Sequence, residues 1–190
     1  ECLRAPEVLW DCGAVERDMF LRVGGFDARR YRYPSIEDIE LGYRIRDAGG
    51  RIILERGLQG KHLKEWRFGN LVHTEVFRRA LPWSRLMLAR GNVTDDLNVG
   101  KGERLRALLT LATIASIAAW ALGWLPGLAV MGLIAVLLVA NGRFLAFFAR
   151  TRGVVFAARA FLFHQLYYAY SSVAFAVATV EHRLARLRSK

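Results

Sequence analysis

Residues 33–64 read YPSIEDIELGYRIRDAGGRIILERGLQGKHLK. Ser35 followed by Asp38 three residues later is the pattern of a helix-capping box, so a helix is predicted to begin at Ile36. Apolar residues then recur at the spacing of one helical face, which predicts that Ile36, Ile39 and Tyr43, with Ile45 slightly off this stripe, pack on a core. Glu40, Arg44 and Asp47 are expected to face outward, and Glu40 with Arg44 is predicted to form an i,i+4 ion pair. The pair Gly49-Gly50 supplies the left-handed backbone that ends such a helix. The stretch therefore predicts an amphipathic helix with defined ends.

This helix opens with two adjacent carboxylates, Glu37 and Asp38. The other elements predicted around it are a strand, a short helix and two further short strands, at residues 8–15, 17–23, 51–55 and 61–63. Mixed strands and helices in this order predict the α/β fold class. Because the strands are too few to enclose a ligand, the region is interpreted as the C-terminal part of a larger domain.

The second half of the chain has a different composition. No charged residue occurs between Ala107 and Gly142, and the chain as a whole is 54% hydrophobic. Residues 104–190 contain 10 Lys and Arg and 1 Glu, a net charge of +9. Residues 1–103 contain 18 Lys and Arg and 16 Asp and Glu, a net charge of +2, which brings the total to +11. Basic residues flanking apolar segments favour anionic lipid as a partner and disfavour nucleic acid. The two cysteines, which have no metal-binding spacing, are expected to be reduced.

Three motifs in fixed order carry a resemblance to a known family. They are Gly24-Gly25-Phe26-Asp27, then Glu37-Asp38 opening the helix that ends near Gly49, then Lys61-His62-Leu63-Lys64. Over about residues 8–68 the chain resembles the second half of a family 2 glycosyltransferase of the GT-A fold, an inverting enzyme. The later segment FRRALPW, residues 77–83, and the hydrophobic helices are similar to membrane-embedded members of that family.

The resemblance implies roles for particular residues. Asp38 would be the base that takes a proton from the acceptor hydroxyl, and Glu37 would orient the acceptor or the base. His62 would be a ligand of a divalent metal, Mg or Mn, which holds the donor diphosphate. Binding of donor or acceptor would fall to residues in the other motifs: Gly25, Asp27, Lys64, Arg79 and Trp83.

Several of these residues also have a simpler interpretation. Asp38 fits a capping carboxylate of its own helix. His62 has no second ligand visible in the sequence, and a lone histidine on a short strand is usually structural. Lys64 fits a solvated face, and Gly25 fits a helix C-terminus. The sequence also lacks an Asp-x-Asp triplet, the family's metal motif, so this segment is not expected to turn over a nucleotide sugar by itself.

The remaining chain is assigned to a membrane region. Residues 69–103 are predicted to form an interfacial helical linker, with an ordinary packed helix as the alternative. Apolar helices are predicted at residues 107–125, 127–148 and 161–180, within a membrane region of residues 104–182 that precedes a basic tail at 183–190. The first two would form a hairpin whose basic ends are cytoplasmic by the positive-inside rule. Arg143 in the second helix would snorkel to the interface or meet a lipid phosphate.

The third apolar helix is open to several interpretations. Its first half is polar and aromatic, and a spanning helix would place the basic tail outside, against the charge rule. It would lie at the interface, re-enter the membrane or span it, and spanning is preferred because a long uncharged run is unfavourable in water.

The sequence thus predicts a multi-pass inner-membrane glycosyltransferase fragment with a cytoplasmic catalytic part. It would transfer a sugar from a nucleotide-sugar donor to a lipid-linked or polysaccharide acceptor of the cell envelope. The alternatives are a non-catalytic membrane anchor that scaffolds a partner and a part of a membrane conduit.

Overall fold

Helices dominate the part of the chain that the computed structural model describes, which is residues 3–4, 13–55, 57–58, 65–91 and 100–188. The elements of residues 1–90 are β1 (Leu3–Arg4), α1 (Arg17–Arg22), α2 (Glu37–Asp47), β2 (Ile53–Leu54), α3 (Phe68–His73), a π-helical segment (Thr74–Ala80) and α4 (Leu81–Arg90). Those of residues 91–190 are α5 (Lys101–Ala121), α6 (Gly127–Ala140), α7 (Gly142–Arg152) and α8 (Val154–Arg188). The chain divides into two compact units at Arg90 and Gly91.

The α/β prediction is wrong, because the described residues form an all-α structure. Their strand pairing is limited to β1 and β2, two residues each, paired antiparallel. Ile53 in β2 is 58% exposed, so its side chain is not covered by a core. β-Branched residues form a strand only where neighbouring strands and a core can pack against them. In the first unit the core is instead formed between the helices α2 and α4. Of the other predicted strands, 61–63 and most of 8–15 lie outside the described residues.

The core of the first unit joins α2 to α4. Ile36, Ile39 and Tyr43 are buried together with Leu86 of α4, and two half-buried aromatic residues, Tyr31 and Trp83, pack against this cluster. The predicted helices at residues 17–23 and 36–48 are confirmed as α1 and α2. The helical spacing of the apolar residues in α2 therefore identified its buried face correctly.

One continuous helical stretch runs from α3 through the π-helical segment into α4. A π-helix hydrogen-bonds five residues back, and such segments are rare and frequent at functional sites. The Leu81 N–H donates to the carbonyl of Val76, five residues earlier. The segment contains Arg78 and Arg79 and ends one residue before Leu81-Pro82. The FRRALPW motif thus coincides with a local change in helical winding.

The second unit consists of α5 to α8. Helix α5 is long and apolar enough to cross a membrane, and α6 with α7 would make a second such segment if the two count as one, although they meet at a 67° bend. The stretch 127–148, predicted as a single helix, is divided into α6 and α7 at Asn141. Asn141 is buried, with 2% of its surface exposed. Helix α8 is 35 residues long and contains the third predicted apolar segment, but, unlike α5, it is not apolar enough to count as a candidate for crossing a membrane.

Polar side chains lie at the contact between α5 and α8. The Tyr168 hydroxyl donates to the Glu103 carboxylate, and Tyr168 is 2% exposed. The Thr110 hydroxyl lies 2.8 Å from Gln165 Oε1, to which it donates. The His164 ring stacks on Phe144 of α7, with ring centroids 4.5 Å apart. The polar residues of α8 that complicated its assignment therefore find partners on neighbouring helices.

Candidate functional site

The predicted catalytic residues lie at the first turn of α2, and both are half-buried. Glu37 Oε2 accepts a hydrogen bond from the Ser35 N–H at 2.6 Å. Asp38 Oδ1 accepts one from the Ile39 N–H at 2.8 Å. Each carboxylate therefore has one oxygen engaged with the backbone of its own helix start, which orients both side chains.

The predicted capping box is wrong. Helix α2 begins at Glu37, its N-cap is Ile36, and Ser35 makes no capping bond through its side chain. The Ser35 hydroxyl instead donates to the backbone carbonyl of Arg78. The Ser35 side chain thus bonds to a carbonyl 43 residues away in sequence and does not cap its own helix.

Pro82 interrupts the backbone hydrogen bonds of this helical stretch. Proline has no N–H, so Pro82 cannot donate to the carbonyl of Arg78, its partner in an α-helical register, nor to that of Phe77, its partner in the π-helical register of Leu81. A carbonyl left buried without a partner is destabilising by about 1–3 kcal/mol. The Ser35 hydroxyl donates to the Arg78 carbonyl and joins the start of α2 to the FRRALPW segment.

Arg44 joins the other predicted motif to α2. Its guanidinium binds both carboxylate oxygens of Glu40, each at 2.8 Å, which confirms the predicted i,i+4 pair. It also donates to the backbone carbonyl of Val23 and, at 2.6 Å, to that of Gly25. The turn that contains Gly24-Gly25-Phe26-Asp27 is therefore held against the helix that carries Glu37 and Asp38.

Gly25 is required by the shape of this turn. Its φ of +62° is in the left-handed region, and a Cβ at this position would lie 3.0 Å from the Phe20 ring. Asp27 is exposed, and its Oδ1 accepts from the N–H groups of Arg29 and Arg30 at 3.1 and 2.9 Å. Gly25 thus has a close-packing role, and Asp27 orders the loop that leads to Tyr31.

Two polar atoms beside the core are buried with no hydrogen-bond partner among the described residues. They are the Tyr31 hydroxyl and the indole Nε1 of Trp83. Burial raises the pKa of Tyr31 above its ordinary value of 10.0 and is the largest cause of the shift. Buried polar groups are normally paired, so these two atoms are available to bind an added polar group. Trp83 was expected near an acceptor, and it lies on the same cluster as Ile36, at the start of α2.

The other predicted site residues fall in different places. Arg79 is exposed and pairs with Glu75 at 3.1 Å, one turn earlier. Its neighbour Arg78 lies over the Tyr33 ring, 5.3 Å from the centroid. Lys64 and His62 lie outside the described residues. The structure therefore groups Gly25, Glu37, Asp38 and Trp83 around α2 and places Arg79 on an outer face of the π-helical segment.

The predicted metal has no complete ligand set in the described part of the chain. Within residues 3–4, 13–55, 57–58, 65–91 and 100–188, no three side chains of His, Cys, Asp or Glu form a group that could hold a metal ion. These residues therefore do not by themselves fit a metal centre.

The contacts made by Ser35 and Arg44 were not predicted from the sequence. The Glu40-Arg44 spacing indicated an ion pair, but Arg44 was expected to face outward, and its bonds to Val23 and Gly25 depend on the folded turn. Pro82 inside a helical pattern was a usable signal, because it implies a carbonyl that needs another donor. Comparison of the chain with protein-family models, curated proteins and solved structures found no match.

Proposed function

We propose that this chain is the membrane-attached, acceptor-side part of an inverting glycosyltransferase that resembles family 2 enzymes. It would transfer a sugar from a nucleotide-sugar donor to a lipid-linked or polysaccharide acceptor. One observation carries the proposal: Arg44 and Ser35 connect three motifs of the resemblance, the Gly24–Asp27 turn, the Glu37-Asp38 pair and the FRRALPW segment. These bonds place motifs that are far apart in sequence along one helix, with the FRRALPW segment at its start and the Gly24–Asp27 turn against its last turn.

In this proposal Asp38 is the general base. It takes the proton of the acceptor hydroxyl while that oxygen forms a bond to the anomeric carbon, and the bond from this carbon to the nucleoside diphosphate breaks. The bond from the Ile39 N–H fixes the carboxylate in place. A helix N-terminus favours the ionised carboxylate, which is the form that accepts a proton but also the weaker base. The reaction would therefore depend on stabilisation of the leaving diphosphate.

The proposal includes the divalent metal that the resemblance implies, with His62 as its candidate ligand in this chain. Such a metal would neutralise charge on the leaving diphosphate when bound. Because the described residues hold no group of three ligands, the proposed roles of Asp38 and Glu37 rest on their own charge and hydrogen bonds.

The proposed location is the inner membrane, with several crossings and the first unit in the cytoplasm. Helix α5 supplies one segment long enough to cross. Basic residues flank the apolar stretch of α5 to α7 at both ends, Arg104 and Arg106 before it and Arg150 and Arg152 after it. The positive-inside rule places both ends on the cytoplasmic side.

A second candidate function is a non-catalytic anchor that scaffolds a partner. Its support is the engagement of Glu37 and Asp38 with the backbone of their own helix start. A carboxylate that only stabilises a helix start has no role in catalysis. Replacement of Asp38 would therefore abolish sugar transfer under the first proposal and would affect only the helix under the second.

The decisive experiment replaces Asp38 in the full-length natural protein. Asp38→Asn is expected to lower sugar transfer by about 100-fold or more, the usual contribution of a general base, while nucleotide-sugar binding changes little. Asp47→Asn, at the other end of the same helix, is the matched control and should retain activity. Transfer of radiolabelled sugar and calorimetric binding of the donor are the measurements.

Two outcomes would contradict the transferase proposal. Undiminished transfer by Asp38→Asn would remove this residue from the mechanism. Absence of both binding and transfer for the unmodified protein across a panel of nucleotide sugars would support the scaffold instead.

A further inference from the structure

A groove of about 420 Å³ lies in the second unit, where α7 and α8 meet beside the end of α6. Its lining is entirely apolar and extends from Leu138 on α6 to Leu162 on α8. The volume is within the range of about 300–1,000 Å³ that is typical of small-molecule sites. The groove is therefore large enough for part of a ligand.

Alanines leave this space open. Two of them, Ala146 and Ala149, belong to α7, and two, Ala157 and Ala158, belong to α8. Side chains this small on facing helices leave a channel between them, and the surrounding side chains extend past it. An apolar channel of this kind binds an apolar chain in preference to water.

Exposed arginines lie within two residues of the lining positions in the sequence. Arg150 follows Ala149, Arg159 follows Ala158, and Arg152 ends α7 two residues before Val154, which also lines the groove. No acidic residue occurs in residues 104–180 of the sequence. The charged residues next to the lining positions in sequence are thus all basic, so the part of α7 and α8 that forms the groove has a charge complementary to an anion.

We propose that this groove binds an anionic phospholipid, with an acyl chain along the alanines and the phosphate at Arg150, Arg152 and Arg159. An alkyl chain joined to a phosphate matches an apolar channel with a basic edge, whereas an apolar helix of another protein would leave the three arginines unmatched. The same unit contains α5, a helix long and apolar enough to cross a membrane. The site is independent of sugar transfer.

The test measures lipid binding by native mass spectrometry of the detergent-purified full chain. It is titrated with phosphatidylglycerol and, separately, with phosphatidylcholine of the same acyl chains. The unmodified protein is expected to bind phosphatidylglycerol about ten-fold more tightly, because each arginine near the headgroup favours an anionic lipid. Equal affinity for the two lipids would overturn the proposal.

Variants locate the binding in the groove. Ala158→Phe fills the channel and should lower binding of phosphatidylglycerol about ten-fold, whereas Ala115→Phe at an exposed position of α5 should not. Arg150→Gln with Arg152→Gln should remove most of the preference for phosphatidylglycerol, and Arg183→Gln with Arg188→Gln, at the far end of α8, should preserve it. Circular dichroism and gel filtration identify any variant that misfolds, and Ala146→Phe then replaces Ala158→Phe. Equal binding by folded groove variants and controls would overturn the proposed site.

Discussion

Arg44 organises the first unit through four hydrogen bonds, two to Glu40 and two to the backbone of the Gly24-Gly25 turn. The guanidinium can do this because it is planar and carries five donors in a fixed arrangement. Lysine at this position would keep the charge but could not reach the carboxylate and both carbonyls together. The turn and α2 thus depend on the shape of this side chain as well as its charge.

Arg44→Lys is therefore expected to lower the free energy of unfolding by about 2–4 kcal/mol, because hydrogen bonds to charged groups contribute about 1.5–3 kcal/mol each. Urea unfolding in detergent, followed by tryptophan fluorescence, measures the change. Arg51→Lys, an exposed position after α2, is the control and should stay within about 0.5 kcal/mol of the unmodified protein. Equal stability of the two variants would contradict the role of Arg44.

The Asp47–Arg90 pair joins the end of α2 to the end of α4 with two hydrogen bonds of 2.9 Å. The bond from Arg90 lowers the pKa of Asp47 below its ordinary value of 3.8. The pair therefore stabilises the folded state above this ordinary value, and the stabilisation is lost as the pH falls through the lower pKa of the folded state. Since both side chains are largely exposed, the effect is expected to be about 0.5 kcal/mol.

Melting temperatures from about pH 2 to pH 7 test this dependence. Asp47→Asn should melt below the unmodified protein at neutral pH, and the difference should disappear at the acidic end. In about 1 M salt the neutral-pH difference should shrink, because exposed charges are screened. A difference that stays constant across the pH range would show that ionisation of Asp47 is not its cause.

At the scale of elements, the contact between the start of α2 and the π-helical segment is expected to depend on one proline. Ser35 donates to the carbonyl of Arg78, to which Pro82 cannot donate. This pairing crosses 43 residues of sequence. A local capping rule cannot foresee it, because it weighs only the residues next to Ser35.

A double-mutant cycle tests this dependence. Ser35→Ala should destabilise the protein by about 1–3 kcal/mol, since it removes the hydroxyl that donates to the Arg78 carbonyl. In a Pro82→Ala background the new backbone N–H can bond to that carbonyl, and Ser35→Ala should then have little effect. Urea unfolding of the four proteins gives the coupling energy. If Ser35→Ala lowered the stability equally in both backgrounds, the Ser35 contact would not depend on Pro82.

Some elements of the fold could be predicted from the sequence and others could not. The spacing of Ile36, Ile39 and Tyr43 identified the buried face of α2, because that pattern is local. The β-branched run at 51–55 predicted a strand of a sheet, but a strand needs neighbours and a covered face, and Ile53 has neither a long partner nor burial. The bend lies at Asn141-Gly142-Arg143, a polar interruption of the apolar run that was a usable signal for it.

The candidate site shows the same division. The sequence identified Glu37, Asp38 and Gly25 as residues of interest, and the structure brings their segments together. The connecting roles of Arg44 and Ser35 depend on carbonyls in distant turns, which no local spacing reveals. The partners of the polar residues in α8 were equally hidden, since Tyr168 bonds to Glu103 on another helix.

At the scale of the whole molecule, the orientation of α5 can be measured. Its first turns carry Lys101 and Arg104, whereas the turn that follows it, residues 122–126, has no charge. The positive-inside rule then predicts that the start of α5 faces the cytoplasm. The two ends should differ in their access to a membrane-impermeant reagent.

Single cysteines at the two ends test this orientation in a protein whose Cys2 and Cys12 are replaced by serine. Trp124→Cys should react with an impermeant maleimide on intact cells, and Lys101→Cys should react only after permeabilisation. Labelling of both positions from outside would show that α5 does not cross the membrane. Labelling of Lys101→Cys alone would reverse the predicted orientation.

The length of α8 has a consequence of its own. At 1.5 Å per residue, its 35 residues extend about 52 Å, whereas the hydrocarbon layer of a bilayer is about 30 Å thick. If α8 stood upright in a bilayer, about four of its turns would project into the headgroup layer and the water beyond. The last of those turns bear Arg183, Arg186 and Arg188, so the projecting end would be a rigid cationic stalk.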